Sequence, residues 1–256
     1  MTTKADFDFY YFSSTNGWKI FVAFEEFGIK SVNKHYIDIV KGEQFTSEFI
    51  KLNPNSKVPV IVDNTVEPPF VVIESGAILV YLAEKYGKFL PDQKIQPRER
   101  SDVFQWLSWQ ISTHGPMLGQ LSFFGFYCDV KMPIAIKRYQ DEAERIYKVL
   151  DARLSNRKYI AGDDTDITIA DMAVYGWGLY LKFGHQIKDW DTKYPHFKKW
   201  LELVETRPSF QLAWDLAAED MKKRMEKIEA DQKLKEKQQQ LEQEQQKQQQ
   251  QQQQQA

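Results

Sequence analysis

Two short stretches of the sequence carry residue types that could hold a small extended peptide. The first is the run NPNSKVPV at 53–60, and the second is Glu74-Ser75. Proline cannot donate in a strand ladder, so Pro59 fits the start or edge of a strand; if the Val58–Pro59 bond is cis, the amide and carbonyl of Val58 can pair with a peptide. Glu74-Ser75 falls where a strand gives way to a helix, and N–H groups there bind carboxylates. A turn and an ordinary helix start are the alternative for either stretch alone.

The run SSTNG at 13–17 stands between an apolar strand pattern and a helix pattern. N–H groups and the dipole at the start of a helix stabilise an anion such as a thiolate. Ser14 and Asn16 are the side chains there that could assist. The alternative is a plain helix cap, because Ser, Thr and Asn are favoured for capping alone.

The sequence contains a single cysteine, Cys128. This count excludes an intrachain disulfide and a cysteine-rich zinc site, and the chain has no Cys-x-x-Cys pair. We expect no metal site. If a chain without a Cys-x-x-Cys pair does thiol chemistry, a cofactor must supply the reactive sulfur. Cys128 itself lies among aromatic residues, where a free cysteine is usually an inert small hydrophobe.

Composition narrows the remaining classes of function. The 256 residues are 42% hydrophobic and 14% aromatic, enough for a sizeable core, and the net charge of −2 gives no broad basic field for nucleic acid. No run of about 20 apolar residues predicts a membrane span, and the first residues show no apolar signal-peptide core. We therefore expect a soluble, cytoplasmic protein that binds neither nucleic acid nor membrane.

The predicted elements give two structured domains. Periodicity and turn residues predict a β-α-β-α-β-β-α order, which is the thioredoxin-like arrangement, and then helices only. The first part comprises strand 7–12, helix 18–27, strand 34–39, helix 47–52, strands 58–62 and 70–73, and helix 75–86. The helical part comprises 98–122, 134–154, 168–180, 195–205 and 208–216.

The corresponding domain boundaries are a thioredoxin-like domain at 1–89, a polar linker at 90–97 and an all-α domain at 98–217. The remainder, 218–256, is a charged helix-forming run that passes into a glutamine-rich tract. Such a tract cannot bury a core, so we expect a disordered tail. A self-association or partner segment is the alternative. Thr168 and Asp171 have the spacing of a capping box and are interpreted as structural.

These motifs together resemble the glutathione transferase superfamily. The proline run followed by Glu74-Ser75 resembles its glutathione site. The run STNG at 14–17 resembles the nu-class enzymes and their relatives, the bacterial disulfide-bond oxidoreductases and the fungal nitrogen-regulator prion protein. The runs GEQF at 42–45, WLSWQISTHGPMLGQ at 106–120 and IKRY at 136–139 also resemble this subgroup. The likeness covers about residues 7–215 and leaves the tail outside.

The resemblance implies a role for nine residues. Asn16 and Ser14 would lie near the glutathione sulfur, although Thr15 stands where relatives often carry proline. Backbone pairing at Val58, before Pro59, would fix the extended peptide. Ser75 would bind the γ-glutamyl carboxylate of glutathione, and Glu74 would accept from its γ-glutamyl ammonium. Gln44 and Lys57 would contact the glycine end, and Arg138 would make a further contact with glutathione.

The activity implied is glutathione-dependent disulfide reduction, with peroxide reduction as a side activity and weak conjugation of aryl halides. The expected partners are glutathione, small disulfides or electrophiles, and a second copy of the chain in a homodimer. A non-catalytic regulatory binding protein and a transferase for electrophiles are the rivals. For His114 a packing role is favoured over a base, and Arg138 could instead pair with Asp141 or Glu142.

Overall fold

The computed structural model of the protein describes residues 5–184, 187–220, 222, 223 and 226. Its contacts divide the chain into two units, Met1–Ala217 and Ala218–Ala256. The glutamine-rich tract and most of the predicted charged helix lie outside the described residues. Among the described helices none is long and apolar enough to cross a membrane.

The first unit begins with a four-stranded sheet. The strands are β1 (Phe7–Tyr11), β2 (Val32–Tyr36), β3 (Val60–Asp63) and β4 (Phe70–Ile73), in the spatial order β2-β1-β3-β4. Strand β1 runs parallel to β2 and antiparallel to β3, and β4 is antiparallel to β3. Strand β2 lies earlier than the predicted 34–39, because its register with β1 begins at the pair Phe7 and Val32.

Helices of different length accompany the sheet within the described residues. The helices are α1 (Thr15–Phe27), α2 (Ser47–Leu52), α3 (Ser75–Tyr86), α4 (Pro97–Trp109), α5 (Gly115–Ser122), α6 (Pro133–Arg153), α7 (Ile169–Gly184), α8 (Trp190–Lys193) and α9 (Pro195–Val204). A short 3₁₀ turn covers Glu43–Phe45, and helical backbone also covers 208–220. The predicted β-α-β-α-β-β-α order and the all-α part that follows it are both confirmed.

The predicted long helix at 98–122 is interrupted by a π-helical segment at Gln110–His114, and a second such segment follows at Phe123–Tyr127. In the first, the Gly115 amide donates to the Gln110 carbonyl, five residues earlier. Pro116 has no N–H to continue the α-helical pattern, so a wider turn at this point is a natural accommodation. The interruption places Gln110 and His114 in the buried interior.

Helices α1 and α7 pack closely and join the sheet domain to the helical domain. A glycine makes this approach possible, since a Cβ at Gly176 would collide with the Thr15 carbonyl at the start of α1. The start of α7 is fixed by the predicted capping box. Thr168 Oγ1 accepts from the Ala170 amide at 3.2 Å, and Asp171 Oδ2 accepts from the Thr168 amide at 2.9 Å.

Candidate functional site

A polar cavity of about 140 Å³ opens where the loop before β3 meets the starts of α1 and α3. Most of the residues predicted for the site line this cavity, together with two asparagines that the sequence analysis did not select. The lining residues are Asn16, Asn53, Asn55, Lys57, Val58, Pro59, Glu74 and Ser75.

The proline side of the cavity is held by a buried asparagine. The Val58–Pro59 peptide bond is cis, and β3 begins at Val60, so Val58 stands just outside the strand. Asn53, only 1% exposed, donates from Nδ2 to the Lys57 carbonyl at 2.7 Å. Its Oδ1 accepts from the Asn55 amide at 2.9 Å. Asn53 therefore fixes the loop whose next residue is Val58. Its place in an Asn-Pro turn was the only signal in the sequence.

The opposite side is formed by Glu74 and Ser75. Glu74 has φ 67° and ψ 118°, outside the regions that non-glycine residues favour, and precedes the first residue of α3. Such outliers persist where the surrounding structure holds them, and they cluster at functional sites. Asn55 Nδ2 donates to Glu74 Oε1 at 3.3 Å. The backbone thus places a carboxylate and a helix start side by side at the cavity wall.

Asn16 lies at the third side, in the first turn of α1. Trp177 Nε1, on α7, donates to Asn16 Oδ1 at 3.2 Å. With Oδ1 occupied, the side-chain amide presents its two N–H groups as donors, and it is these that an anion in the cavity can use. Sequence analysis selected Asn16 but not Trp177, which lies 161 residues away along the chain.

Ser14 acts as the helix cap. Its Oγ accepts from the Gly17 amide at 3.4 Å and donates to the Phe12 carbonyl at 3.3 Å. Ser14 is not among the lining residues. The alternative interpretation of this stretch as a cap thus describes Ser14 in this structure, while Asn16 lines the cavity.

Two further predicted contacts also lie outside the lining. Gln44 Nε2 donates to the Ile39 carbonyl at 3.3 Å, and Gln44 Oε1 is buried with no hydrogen-bond partner in the described ranges of the chain. Arg138 is exposed on α6. Asp141 forms its ion pair with Lys137, with 2.6 Å between Oδ1 and Nζ, rather than with Arg138.

A buried polar cluster lies behind the cavity wall and was not predicted. Lys19, on α1, donates from Nζ to Gln110 Oε1 at 2.6 Å and to Ser75 Oγ at 3.3 Å. His114 is fully buried, and among the residues that the structure describes neither of its ring nitrogens has a hydrogen-bond partner. Burial, with the nearby Lys19 charge, lowers the pKa of His114 to about 3, so this ring is neutral at neutral pH.

Among the described residues, the lining of the cavity contains one carboxylate, that of Glu74, and no cysteine or histidine. Within the part of the chain that the structure describes, no group of three or more His, Cys, Asp or Glu side chains could hold a metal ion. Cys128 follows the second π-helical segment and is partly exposed, with Sγ 3.0 Å from the Val130 carbonyl oxygen. The cavity offers hydrogen-bond donors from Asn16, the carboxylate of Glu74 and the start of α3 at Ser75. These groups suit an extended ligand that carries both a positive and a negative charge.

A thioredoxin-like sheet with a cis-proline, followed by an all-helical domain, defines the class of protein. A family model described as "Glutathione S-transferase, N-terminal domain" matches residues 8–84. One described as "Glutathione S-transferase, C-terminal domain" matches residues 133–203. The chain belongs to the glutathione S-transferase family, as the resemblance predicted.

Known relatives agree with this assignment. A glutathione S-transferase domain-containing protein of Dictyostelium discoideum is 42% identical over 210 residues, covering 81% of this chain and 80% of the relative. Disulfide-bond oxidoreductase YfcG of Escherichia coli is 38% identical over 211 residues, covering 79% and 91%. The fold also matches the crystal structure of glutathione transferase URE2P8 from Phanerochaete chrysosporium with oxidized glutathione, with a TM-score of 0.78. The two sequences are 30% identical, and the match covers 87% of this chain and 99% of URE2P8.

Proposed function

We propose that this protein is a glutathione-dependent disulfide reductase in which bound glutathione supplies the reactive thiolate. Support comes from the family, from YfcG, named a disulfide-bond oxidoreductase, and from URE2P8, whose structure holds oxidized glutathione. The observation that carries the proposal is Asn16 at the cavity, oriented by Trp177 so that its amide N–H groups are the available donors. No protein nucleophile is required.

Glutathione would lie extended along Val58. Its γ-glutamyl carboxylate would accept from the amide and hydroxyl of Ser75 at the start of α3. Its ammonium would donate to Glu74, which Asn55 already holds. Lys57 would meet the glycine carboxylate, and Gln44 and Arg138 remain proposed contacts at the edges of the site.

The sulfur would then lie at the first turn of α1. The Asn16 amide and the dipole of α1 would stabilise the thiolate over the thiol, lowering the thiol pKa and raising the reactive fraction at neutral pH. Ser14 would support this arrangement through the cap it forms with the Gly17 amide. A neighbouring donor to the charged form is the physical cause of such a shift.

The reaction is two successive thiol–disulfide exchanges. The glutathione thiolate attacks one sulfur of a small disulfide; a glutathione–sulfur bond forms, the disulfide bond breaks, and the leaving thiolate takes a proton. The thiolate of a second glutathione attacks the glutathione sulfur of this mixed disulfide and releases the second thiol. Two glutathiones are oxidised to glutathione disulfide, and one disulfide is reduced to two thiols.

The test is steady-state reduction of hydroxyethyl disulfide by glutathione, coupled to glutathione reductase, for the wild type and two Asn16 variants. Asn16→Ala removes the donor and the acceptor, and should lower turnover at least about tenfold, near 1.4 kcal/mol in the transition state. Asn16→Asp keeps an oxygen for Trp177 but replaces the donor with a negative charge, so a larger loss is expected. Asn156→Ala, at an exposed loop position, is the matched control.

Unchanged turnover in both Asn16 variants would contradict the role of Asn16. No turnover by the wild type, with glutathione still bound in calorimetry, would favour one of two rivals. Conjugation of an electrophile would identify a transferase, and binding alone would identify a regulatory binding protein. A homodimer is a further proposal from the resemblance, and sedimentation equilibrium tests it. A cytoplasmic location is a proposal from the composition of the sequence.

A further inference from the structure

Lys19 is a buried lysine without a carboxylate partner in the described part of the chain. It is 2% exposed and lies on α1, facing the start of α3 and the π-helical segment after α4. Its Nζ donates to Gln110 Oε1 at 2.6 Å and to Ser75 Oγ at 3.3 Å. Both partners are neutral. A buried ammonium ordinarily needs an anion, because desolvation penalises its charged form.

The charged and titratable groups around Lys19 are few. Burial lowers the pKa of Lys19 to about 7, and the carboxylate of Glu74 opposes that change. His114, on the π-helical segment, is neutral at this pH. From α7 the residue that faces Lys19 is Gly176, where a Cβ would lie 3.2 Å from Lys19 Cγ. The γ-glutamyl ammonium of a bound ligand would be one more charge, nearest Glu74.

Ser75 links this lysine to the cavity. The Ser75 hydroxyl accepts from Lys19, so its own hydrogen is free to donate to an anion in the cavity. An anion bound at Ser75 would be separated from the Lys19 ammonium by that single hydroxyl. It would thereby add a second negative charge to that of Glu74, which acts on Lys19 without contacting it directly in the described part of the chain.

We propose that Lys19 is a positioning residue that acts through Ser75, its buried ammonium balancing the α-carboxylate of the γ-glutamyl group. This inference rests on the proposed function, since it assumes glutathione as the ligand. Gln110 holds the lysine in place without neutralising it. Two consequences follow: Lys19 contributes to affinity only for ligands that carry this carboxylate, and ligand binding is coupled to proton uptake by Lys19.

Calorimetric titration with S-methylglutathione tests the inference, because this probe keeps the carboxylate and has no thiol to ionise. The protein should bind S-methylglutathione more tightly when Lys19 is protonated than when it is neutral. Wild-type affinity should therefore fall as the pH rises from about 6 to about 8.5, through the pKa of Lys19 in the free protein. Binding near neutral pH should take up protons, measured from heats in buffers of different ionisation enthalpy.

Two variants remove the free positive charge in different ways. Lys19→Met deletes the ammonium, and should weaken binding about 10- to 100-fold near pH 6, with a smaller gap at higher pH. Gln110→Glu keeps the lysine but places a carboxylate beside Nζ, so a comparable loss is expected although Lys19 is intact. The matched controls are Lys30→Met and Gln105→Glu, at exposed positions, which should bind as the wild type does.

A ligand variant completes the test. An S-methylglutathione analogue whose γ-glutamyl α-carboxylate is replaced by hydrogen should bind wild type and Lys19→Met about equally, within roughly twofold. Equal losses by Lys19→Met for both ligands would overturn the inference, since Lys19 would then be only structural.

The failure of this inference can be told from failure of the proposed function. Tight binding by the wild type, with unchanged affinity and pH profile in Lys19→Met and Gln110→Glu, would overturn the inference alone. No binding of either glutathione or S-methylglutathione by the wild type would overturn both. Circular dichroism and thermal unfolding of each variant separate loss of binding from loss of fold.

Discussion

The two ends of strand β3 differ in how a buried charge is balanced. At the far end, Asp63 is fully buried as a side chain and accepts from Lys85 Nζ and Tyr81 Oη, both at 2.6 Å. At the end that faces the cavity, the hydrogen-bond partners of Lys19, on the adjoining helix α1, are an amide oxygen and a hydroxyl within the described residues. The first network is closed within the protein and serves the fold. In the second, no carboxylate among the described residues contacts the lysine directly, although the charge of Glu74 acts on it, and the carboxylate of a ligand can complete the network.

The pKa of Asp63 reflects its closed network. Burial alone would raise it, but hydrogen bonds from Lys85, Thr65 and Tyr81 outweigh burial and lower it to about 2. A carboxyl whose pKa is lower in the folded state stabilises the fold above the unfolded value. That contribution is lost as the pH falls from about 4 toward about 2.

Replacing the lysine of each network gives the sharpest test of this contrast. Lys85→Met would leave the Asp63 carboxylate buried without its cation, and should lower the free energy of unfolding by about 2 to 4 kcal/mol near neutral pH. Urea unfolding measures the change. Lys30→Met, in an exposed ion pair, should change stability by less than about 0.5 kcal/mol. Equal stability of Lys85→Met and wild type would show that the Asp63 network is dispensable.

The same substitution at Lys19 should have the opposite sign. Unfolded lysine titrates near 10.4, whereas burial lowers the pKa of Lys19 to about 7, so between these values the unfolded state binds the proton more tightly. Wild-type stability should therefore rise with pH from about 7 to about 10. Lys19→Met removes the buried charge and should raise the free energy of unfolding, by about 1 to 3 kcal/mol near pH 6 and less near pH 9.

Urea unfolding of wild type and Lys19→Met across this pH range measures the difference. If Lys19→Met were less stable than the wild type at every pH, Lys19 would stabilise the fold, as Lys85 does. Greater stability together with weaker ligand binding would instead place Lys19 among residues that lower stability for the sake of function.

Sequence reasoning succeeded where a local pattern fixes the structure. The capping box at Thr168 and Asp171 lies within a few residues, and the structure shows it as predicted. The Val58–Pro59 bond is cis, which is the condition that the sequence analysis set for pairing of Val58 with a peptide. The order of strands and helices followed from periodicity in the same way. The start of β3 was less accurate, since the strand begins at Val60 rather than at residue 58.

The features that sequence reasoning missed depend on distant partners. Lys19 meets Gln110 across 91 residues and Ser75 across 56. In a helical pattern a lysine is usually solvated, and nothing local marks this one as buried. The π-helical segment that turns Gln110 inward was missed because the apolar spacing around Pro116 fits one continuous helix. Neither feature could be found without the packing of α1 against the helical domain.

The hydrogen bond between Trp177 and Asn16 allows the most specific test of the Asn16 side of the cavity, and its loss should have the smallest effect on activity. Trp177→Phe keeps most of the packing but removes the Nε1 donor, so the Asn16 amide can rotate and present its oxygen to the thiolate. We expect disulfide reduction to fall about 3- to 10-fold, less than with Asn16→Ala, and the thiol pKa of bound glutathione, followed by thiolate absorbance, to rise. Trp190→Phe, on the short helix α8, is the control.

The double variant decides whether Trp177 acts through Asn16. If it does, Trp177→Phe should have almost no further effect once Asn16 is alanine, because residues in one hydrogen-bonded unit are not additive. Independent, multiplying losses would mean that Trp177 supports the cavity by packing alone. Substitution of Lys85 in the closed network should then lower the free energy of unfolding and Lys19→Met should raise it, whereas substitutions of Asn16 and Trp177 should change thiolate chemistry at nearly constant stability.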